Sequence, residues 1–177
     1  MERASRGEGP AWMGIGAQRS GTTWFTDLLT THPEVCLGRE GRKELHYFNR
    51  FLVRPWSEGE ARAYRDRFDG AEGRLPGEFT PFYLRGLWIP PLARQACRPD
   101  LVLVVLLRDP VERFASAMSW YRRESEPPQE PGGLARWARE KGADALWGGM
   151  YATHPGRVDV PLPPRPVRGP AVRGRGP

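Results

Sequence analysis

Gly14-Ile-Gly-Ala-Gln-Arg-Ser-Gly-Thr-Thr-Trp24 decides how this chain is built. It joins a short apolar run, Ala11-Trp-Met-Gly-Ile-Gly16, to Thr22-Thr-Trp-Phe-Thr-Asp-Leu-Leu-Thr-Thr31, where Trp24/Phe25 and Leu28/Leu29 recur at helical spacing. The order is strand, glycine-bearing loop, helix. His32-Pro33 ends the helix, because a residue before proline is disfavoured in helical geometry. Such a loop lets successive backbone N–H groups converge on an anion, and the helix dipole adds a favourable field. The same spacing also suits an ordinary Gly-rich turn. Gly16 and Gly21 have the interval of the GxxxxGK[ST] phosphate loop, but Thr22 stands where that pattern needs lysine, and the loop's own cation is Arg19.

A second unit repeats this order. Leu101-Val-Leu-Val-Val-Leu-Leu107 has no polar alternation, the pattern of a parallel strand covered on both faces. It runs into Arg108-Asp-Pro, and Pro110 suits the first turn of a helix with Val111, Phe114, Ala115 and Met118 along one face. Two strand-loop-helix units predict an α/β fold with ligands at the carboxyl ends of the strands, so the loops after Gly16 and Leu107 share one crevice. Arg108 can fork onto phosphate oxygens, and Ser116 can add a hydroxyl donor. Asp109-Pro110 taken alone is a capping and turn signal. Between the two units, Ser57-Glu-Gly-Glu60 has the spacing of a capping box and opens a helix through about Phe68.

The remaining features bound the class. The chain has 177 residues and is 39% hydrophobic, enough for one domain with a real core. No apolar run approaches a membrane span, and the polar start lacks a secretory signal, so the expectation is a cytoplasmic protein without a span. Cys36 and Cys97 form no CxxC or Cys/His cluster, and no metal site is expected. The formal charge of +6 invites a nucleic-acid reading, but residues 155–177 hold five Arg against one Asp, so most of the surplus belongs to the tail. The expected organisation is a loose lead-in over 1–10, one domain over 11–154, and a disordered Pro/Arg/Gly-rich tail over 155–177.

Four stretches together resemble, in order, the sulfotransferases that use 3′-phosphoadenosine 5′-phosphosulfate (PAPS), in particular the carbohydrate branch with the heparan sulfate enzymes. They are Gln18-Arg-Ser-Gly-Thr-Thr-Trp24, Lys43-Glu-Leu-His-Tyr-Phe48, Gly77-Glu-Phe-Thr-Pro-Phe-Tyr-Leu84, and Leu106-Leu-Arg-Asp-Pro-Val-Glu-Arg113 continuing to Ser116. A fifth, Gly149-Met-Tyr-Ala-Thr-His154, resembles the start of that branch's next helix.

The resemblance implies a P-loop NTPase-like parallel sheet flanked by helices, C-terminally incomplete here. It places Arg19, Ser20, Gly21, Thr22 and Thr23 around the 5′-phosphosulfate, with Trp24 beside the adenine, and Arg108 and Ser116 on the 3′-phosphate. It makes Glu44 the general base, with His46 at the acceptor. PAPS would be the co-substrate, with no metal required, and the acceptor a carbohydrate or small molecule offering a hydroxyl or amine. Asn49 and Phe79 stand where the branch often has Asp and Lys, which bears on acceptor type. Without that context Glu44 reads as a solvated carboxylate and His46 as structural. If 43–48 is extended, their alternation puts both side chains in the crevice.

The tail departs from the family pattern. Permitted codons for Val158 onward, read one nucleotide later, are compatible with WTYLFPRDQFVVLRYEDEDL, which resembles the family's helix end and next strand. The expectation is a frameshifted tail on the N-terminal portion of a longer enzyme. Other readings are a non-catalytic nucleotide-binding fragment, a P-loop kinase, which predicts magnesium-dependent ATP binding, and nucleic-acid binding through the tail, which predicts steep salt dependence.

Overall fold

The computed structural model describes residues 8–71 and 73–151. The expected tail, most of the expected lead-in and the end of the Gly149–His154 stretch lie outside the described residues. Four strands form one all-parallel sheet: β1 (Trp12–Gly16), β2 (Val35–Leu37), β3 (Leu75–Phe79) and β4 (Val102–Val105), in spatial order β2-β3-β1-β4. The helices are α1 (Thr22–Leu29), α2 (Glu58–Arg65), α3 (Ile89–Ala96), α4 (Pro110–Glu124) and α5 (Gly133–Trp147). The α/β class and both strand-loop-helix units stand as read from the sequence.

The local causes are visible. Ser57 Oγ accepts from the Glu60 N–H at 3.3 Å, capping α2, and a 3₁₀ turn extends that helix to Phe68. Asp109 caps α4 by accepting from the N–H groups of Val111 and Glu112 at 2.9 and 3.0 Å, so the capping reading of Asp109-Pro110 holds. Two glycines let the central strands lie against large rings. A Cβ on Gly14 would sit 2.3 Å from the Phe79 ring, and one on Gly77 would sit 2.2 Å from Trp12. On one side of the sheet Phe48, Tyr64 and Tyr83 form an aromatic cluster, with centroids 4.6 Å (Phe48–Tyr64) and 5.3 Å (Phe48–Tyr83) apart, next to Met13 and Ile15.

Two expectations need correction. Among the described residues β4 is parallel and lies at the edge of the sheet, and its face is not fully covered there, with Val102 58% exposed. An unbroken apolar run states what a strand tolerates, and its neighbours decide what it receives. On α4 the buried face is turned from the expected one. Val111 and Ala115 are exposed, whereas Arg113 and Ala117 are buried, because α4 packs against α5 and the adjoining cleft rather than lying flat on the sheet.

Candidate active site

Each strand delivers residues from its carboxyl end to one side of the sheet. From β1 comes the loop Ala17–Gly21. It is tied to the end of β4 by two hydrogen bonds of 2.8 Å, Ala17 N–H to the Leu106 carbonyl and Leu106 N–H to the Gly16 carbonyl. The two loops therefore do adjoin. Gly21, at φ 80°, turns the chain into α1, whose first N–H groups have no acceptor within the helix. Thr22 is buried at that terminus, Thr23 and Trp24 are exposed, and the buried Ser20 Oγ has no hydrogen-bond partner among the described residues. An unpaired buried hydroxyl in such a loop is an available donor.

Arg19 bridges to the second unit. Its Nε donates to Ser116 Oγ on α4 at 3.4 Å, and its guanidinium lies 6.0 Å from the Trp120 ring centre. The cation of the loop after β1 and the α4 hydroxyl that the sequence pairs with Arg108 are thus in contact across 97 residues of sequence. Arg108 lies two residues before α4 and is not in the wall of the cleft that Arg19 lines; its Nε donates to Glu112 at 3.1 Å, and the Tyr151 hydroxyl donates to its carbonyl at 3.1 Å. That bond uses one of the guanidinium's five N–H donors, and an anion can be met by the Nη groups while it stands.

From β2 comes the segment with Glu44 and His46. It is not extended: Glu44 (φ 61°) and His46 (φ 51°) are both left-handed, and a 3₁₀ turn over Tyr47–Leu52 follows. The two side chains nevertheless meet, through the turn rather than through strand alternation, with Glu44 Oε2 3.3 Å from His46 Nε2. Asn49 Nδ2 lies 2.8 Å from His46 Nδ1; an amide N–H donated there leaves the imidazole proton on Nε2, facing Glu44. Arg19, Glu44 and His46 are the described non-glycine residues with positive φ. That conformation costs of order 1–3 kcal/mol per residue and persists where its surroundings hold it, commonly at functional sites.

The surroundings that hold it come from β3. Glu44 N–H donates to the Phe79 carbonyl at 2.9 Å. His46 N–H donates to Thr80 Oγ1 at 3.4 Å and Tyr47 N–H to Tyr83 Oη at 2.9 Å. Those two hydroxyls in turn donate to Glu78, at 2.7 Å from Thr80 and 3.3 Å from Tyr83, and Tyr64 Oη donates to it at 2.5 Å. Glu78 is fully buried, and burial pushes its carboxyl up to about 7 against the opposing pull of these donors. It fixes which way the hydroxyls point, and so makes them acceptors for the backbone that carries Glu44 and His46. The sequence reading missed Glu78 because nothing in Leu75-Pro-Gly-Glu-Phe79 marks its carboxylate as buried.

A cleft of about 220 Å³ adjoins these residues, with Arg19, Glu44, Arg85, Arg113, Tyr121 and Asp144 in its wall. Asp144 is held by the Arg85 guanidinium and the Tyr121 hydroxyl, and its carboxyl lies below the usual range: burial opposes this, while the bonds from Arg85 and Tyr121 enforce it. A larger hollow of about 890 Å³ beside β2 contains none of the candidate residues, so size does not locate the chemistry. Among the described residues no group of three or more His, Cys, Asp or Glu side chains converges as a metal site would, and no helix is long and apolar enough to cross a membrane.

With this parallel α/β sheet, the glycine-bearing loop after its first strand and the carboxylate–imidazole pair beside it, the similarities to known proteins give the class: the chain belongs to the sulfotransferase family. It is 32% identical over 125 residues to the membrane-associated sulfotransferase kil1 of Dictyostelium discoideum, covering 68% of this chain and 26% of that one. It is also 32% identical over 149 residues to heparan sulfate glucosamine 3-O-sulfotransferase 3A1 of Mus musculus, covering 79% and 35% respectively. A solved sulfotransferase from Alicyclobacillus acidocaldarius superposes with a TM-score of 0.61 at 28% identity, over 82% of this chain and 66% of that one. The chain thus spans about a quarter to a third of the curated relatives it matches. No family model matches the sequence.

Proposed function

We propose that this chain carries the donor side and the base of a site that transfers a sulfuryl group from PAPS to a hydroxyl, or an amine, of a carbohydrate or small-molecule acceptor. The observation that supports it most is the hydrogen bond from Arg19, on the loop after β1, to Ser116 on α4, with Arg19 also lining a cleft whose wall includes Glu44. In this reading the acceptor oxygen attacks sulfur, the S–O bond to the phosphate breaks, and its electron pair stays on the phosphate oxygen. The acceptor proton passes to Glu44, assisted by His46. Arg19, the Ser20 and Thr23 hydroxyls and the α1 N–H groups stabilise the departing 3′-phosphoadenosine 5′-phosphate (PAP), and Arg108 with Ser116 holds its 3′-phosphate.

The test is isothermal calorimetry with PAP and with magnesium-ATP. Binding of PAP and not ATP supports the proposal; ATP binding that needs magnesium together with no PAP binding replaces it with the kinase reading. A second reading is a nucleotide-binding chain without turnover. It predicts PAP binding with no sulfate transferred from labelled PAPS to heparan-type oligosaccharides.

A further inference from the structure

Lys43 was only the first letter of a motif in the sequence, yet the fold brings it to the first turn of α1. Its ammonium lies 2.9 Å from Thr23 Oγ1, 3.3 Å from Thr22 Oγ1 and 3.3 Å from Glu44 Oε1. It sits 5.8 Å from the centre of the Phe79 ring, and its side chain is only 18% exposed. The Glu44 N–H bond to the Phe79 carbonyl anchors the next residue to β3, so Lys43 reaches the α1 terminus from a fixed base.

Three features give this placement a function. An ammonium has three donors and no acceptor, and two of its present partners are neutral hydroxyls, weak compensation for a mostly enclosed charge. Each hydroxyl that accepts from Lys43 keeps its own proton free to donate elsewhere, and both stand at the positive end of α1. The third partner is Glu44, so the same cation touches the phosphate loop and the proposed base.

We propose that Lys43 is a second cation of the phosphosulfate site, shared between the donor and the base. It takes the place left by the absence of lysine at position 22. When a 5′-phosphate or phosphosulfate sits on the loop, the Lys43 ammonium hydrogen-bonds its oxygens and relinquishes Glu44, whose carboxylate oxygen is then free to face the acceptor. As the S–O bond breaks, Lys43 stabilises the electron pair left on the phosphate oxygen without giving up its own proton. This role rests on the sulfotransferase reading above.

The experiment compares the wild-type chain with Lys43→Met and Lys43→Arg by calorimetry, using PAP and adenosine 3′-phosphate. A charge-assisted hydrogen bond to the 5′-phosphate corresponds to about tenfold or more in affinity. The expected result is that Lys43→Met weakens PAP by at least that factor, leaves adenosine 3′-phosphate within about twofold, and that Lys43→Arg retains most of the PAP affinity. Unchanged PAP affinity in Lys43→Met overturns the role of Lys43 and leaves the sulfotransferase reading intact. Equal weakening of both ligands overturns it as well, by showing general damage to the site. A wild-type chain that binds no PAP defeats both proposals.

Discussion

Glu78 makes the chain's stability depend on pH in a direction opposite to that of most carboxylates. Its carboxyl is fully buried, and its folded value is about 7 against an ordinary 4.5. The native state therefore binds the proton more tightly than the unfolded state, and between those two values the unfolded chain carries fewer protons. Stability is then greatest below about pH 4.5, falls as pH rises through the interval, and levels off above about 7. A tenfold change in a protonation equilibrium is worth about 1.4 kcal/mol, so the interval corresponds to about 3 kcal/mol, a large part of a typical domain's stability. Tyr64, Thr80 and Tyr83 bond to the carboxyl, and Arg67 and Cys97 are its further electrostatic neighbours. Other carboxyls impose their own pH dependence, so the assay is a difference. Urea melts of the wild type and of Glu78→Gln, which mimics the protonated form, are compared from pH 4 to pH 8. The variant should gain about 3 kcal/mol on the wild type across that range. A difference that stays flat, or that moves in favour of the wild type with rising pH, refutes the reasoning.

Three more predictions concern the site and the scaffold. Arg108→Ala should weaken PAP about tenfold or more and leave adenosine 5′-phosphosulfate, which lacks the 3′-phosphate, unaffected; calorimetry with the two ligands separates these. Glu44→Gln should keep PAP affinity within about twofold but lower sulfate transfer from labelled PAPS about a hundredfold or more, and a variant as fast as wild type removes Glu44 as the base. Ser57→Ala removes the acceptor for the Glu60 N–H and should cost about 1 kcal/mol, read as a lower Tm, because only the α2 cap is lost.

The parts of the fold legible in the sequence are those written in consecutive residues. The apolar run before Gly16, the Ser57 capping box and the Asp109-Pro110 start of α4 each state their geometry locally. β3 does not: Leu75-Pro-Gly-Glu-Phe79 has weak strand character and becomes central only because Gly77 admits Trp12 and the Phe79 ring lies over Gly14. α3 begins Ile-Pro-Pro and was not foreseen, although prolines at a first turn are tolerated. At the site, the residue types near the phosphate loop were legible, but their partnerships were not. Lys43 finds Thr22 and Thr23 across about twenty residues, and Glu78 reaches Glu44 only through two hydroxyls and a backbone. Left-handed geometry at Arg19, Glu44 and His46 has no local signature, because none of them is glycine.

The most direct measurement is the affinity of the wild-type chain for PAP beside its two halves, adenosine 5′-phosphate and adenosine 3′-phosphate, in one buffer at fixed ionic strength. Two anion subsites acting on one ligand predict that PAP binds at least about tenfold more tightly than either monophosphate. A PAP affinity equal to that of one monophosphate would mean that the Arg108–Ser116 end and the Arg19–Thr23 loop do not serve the same molecule, and would contradict the account.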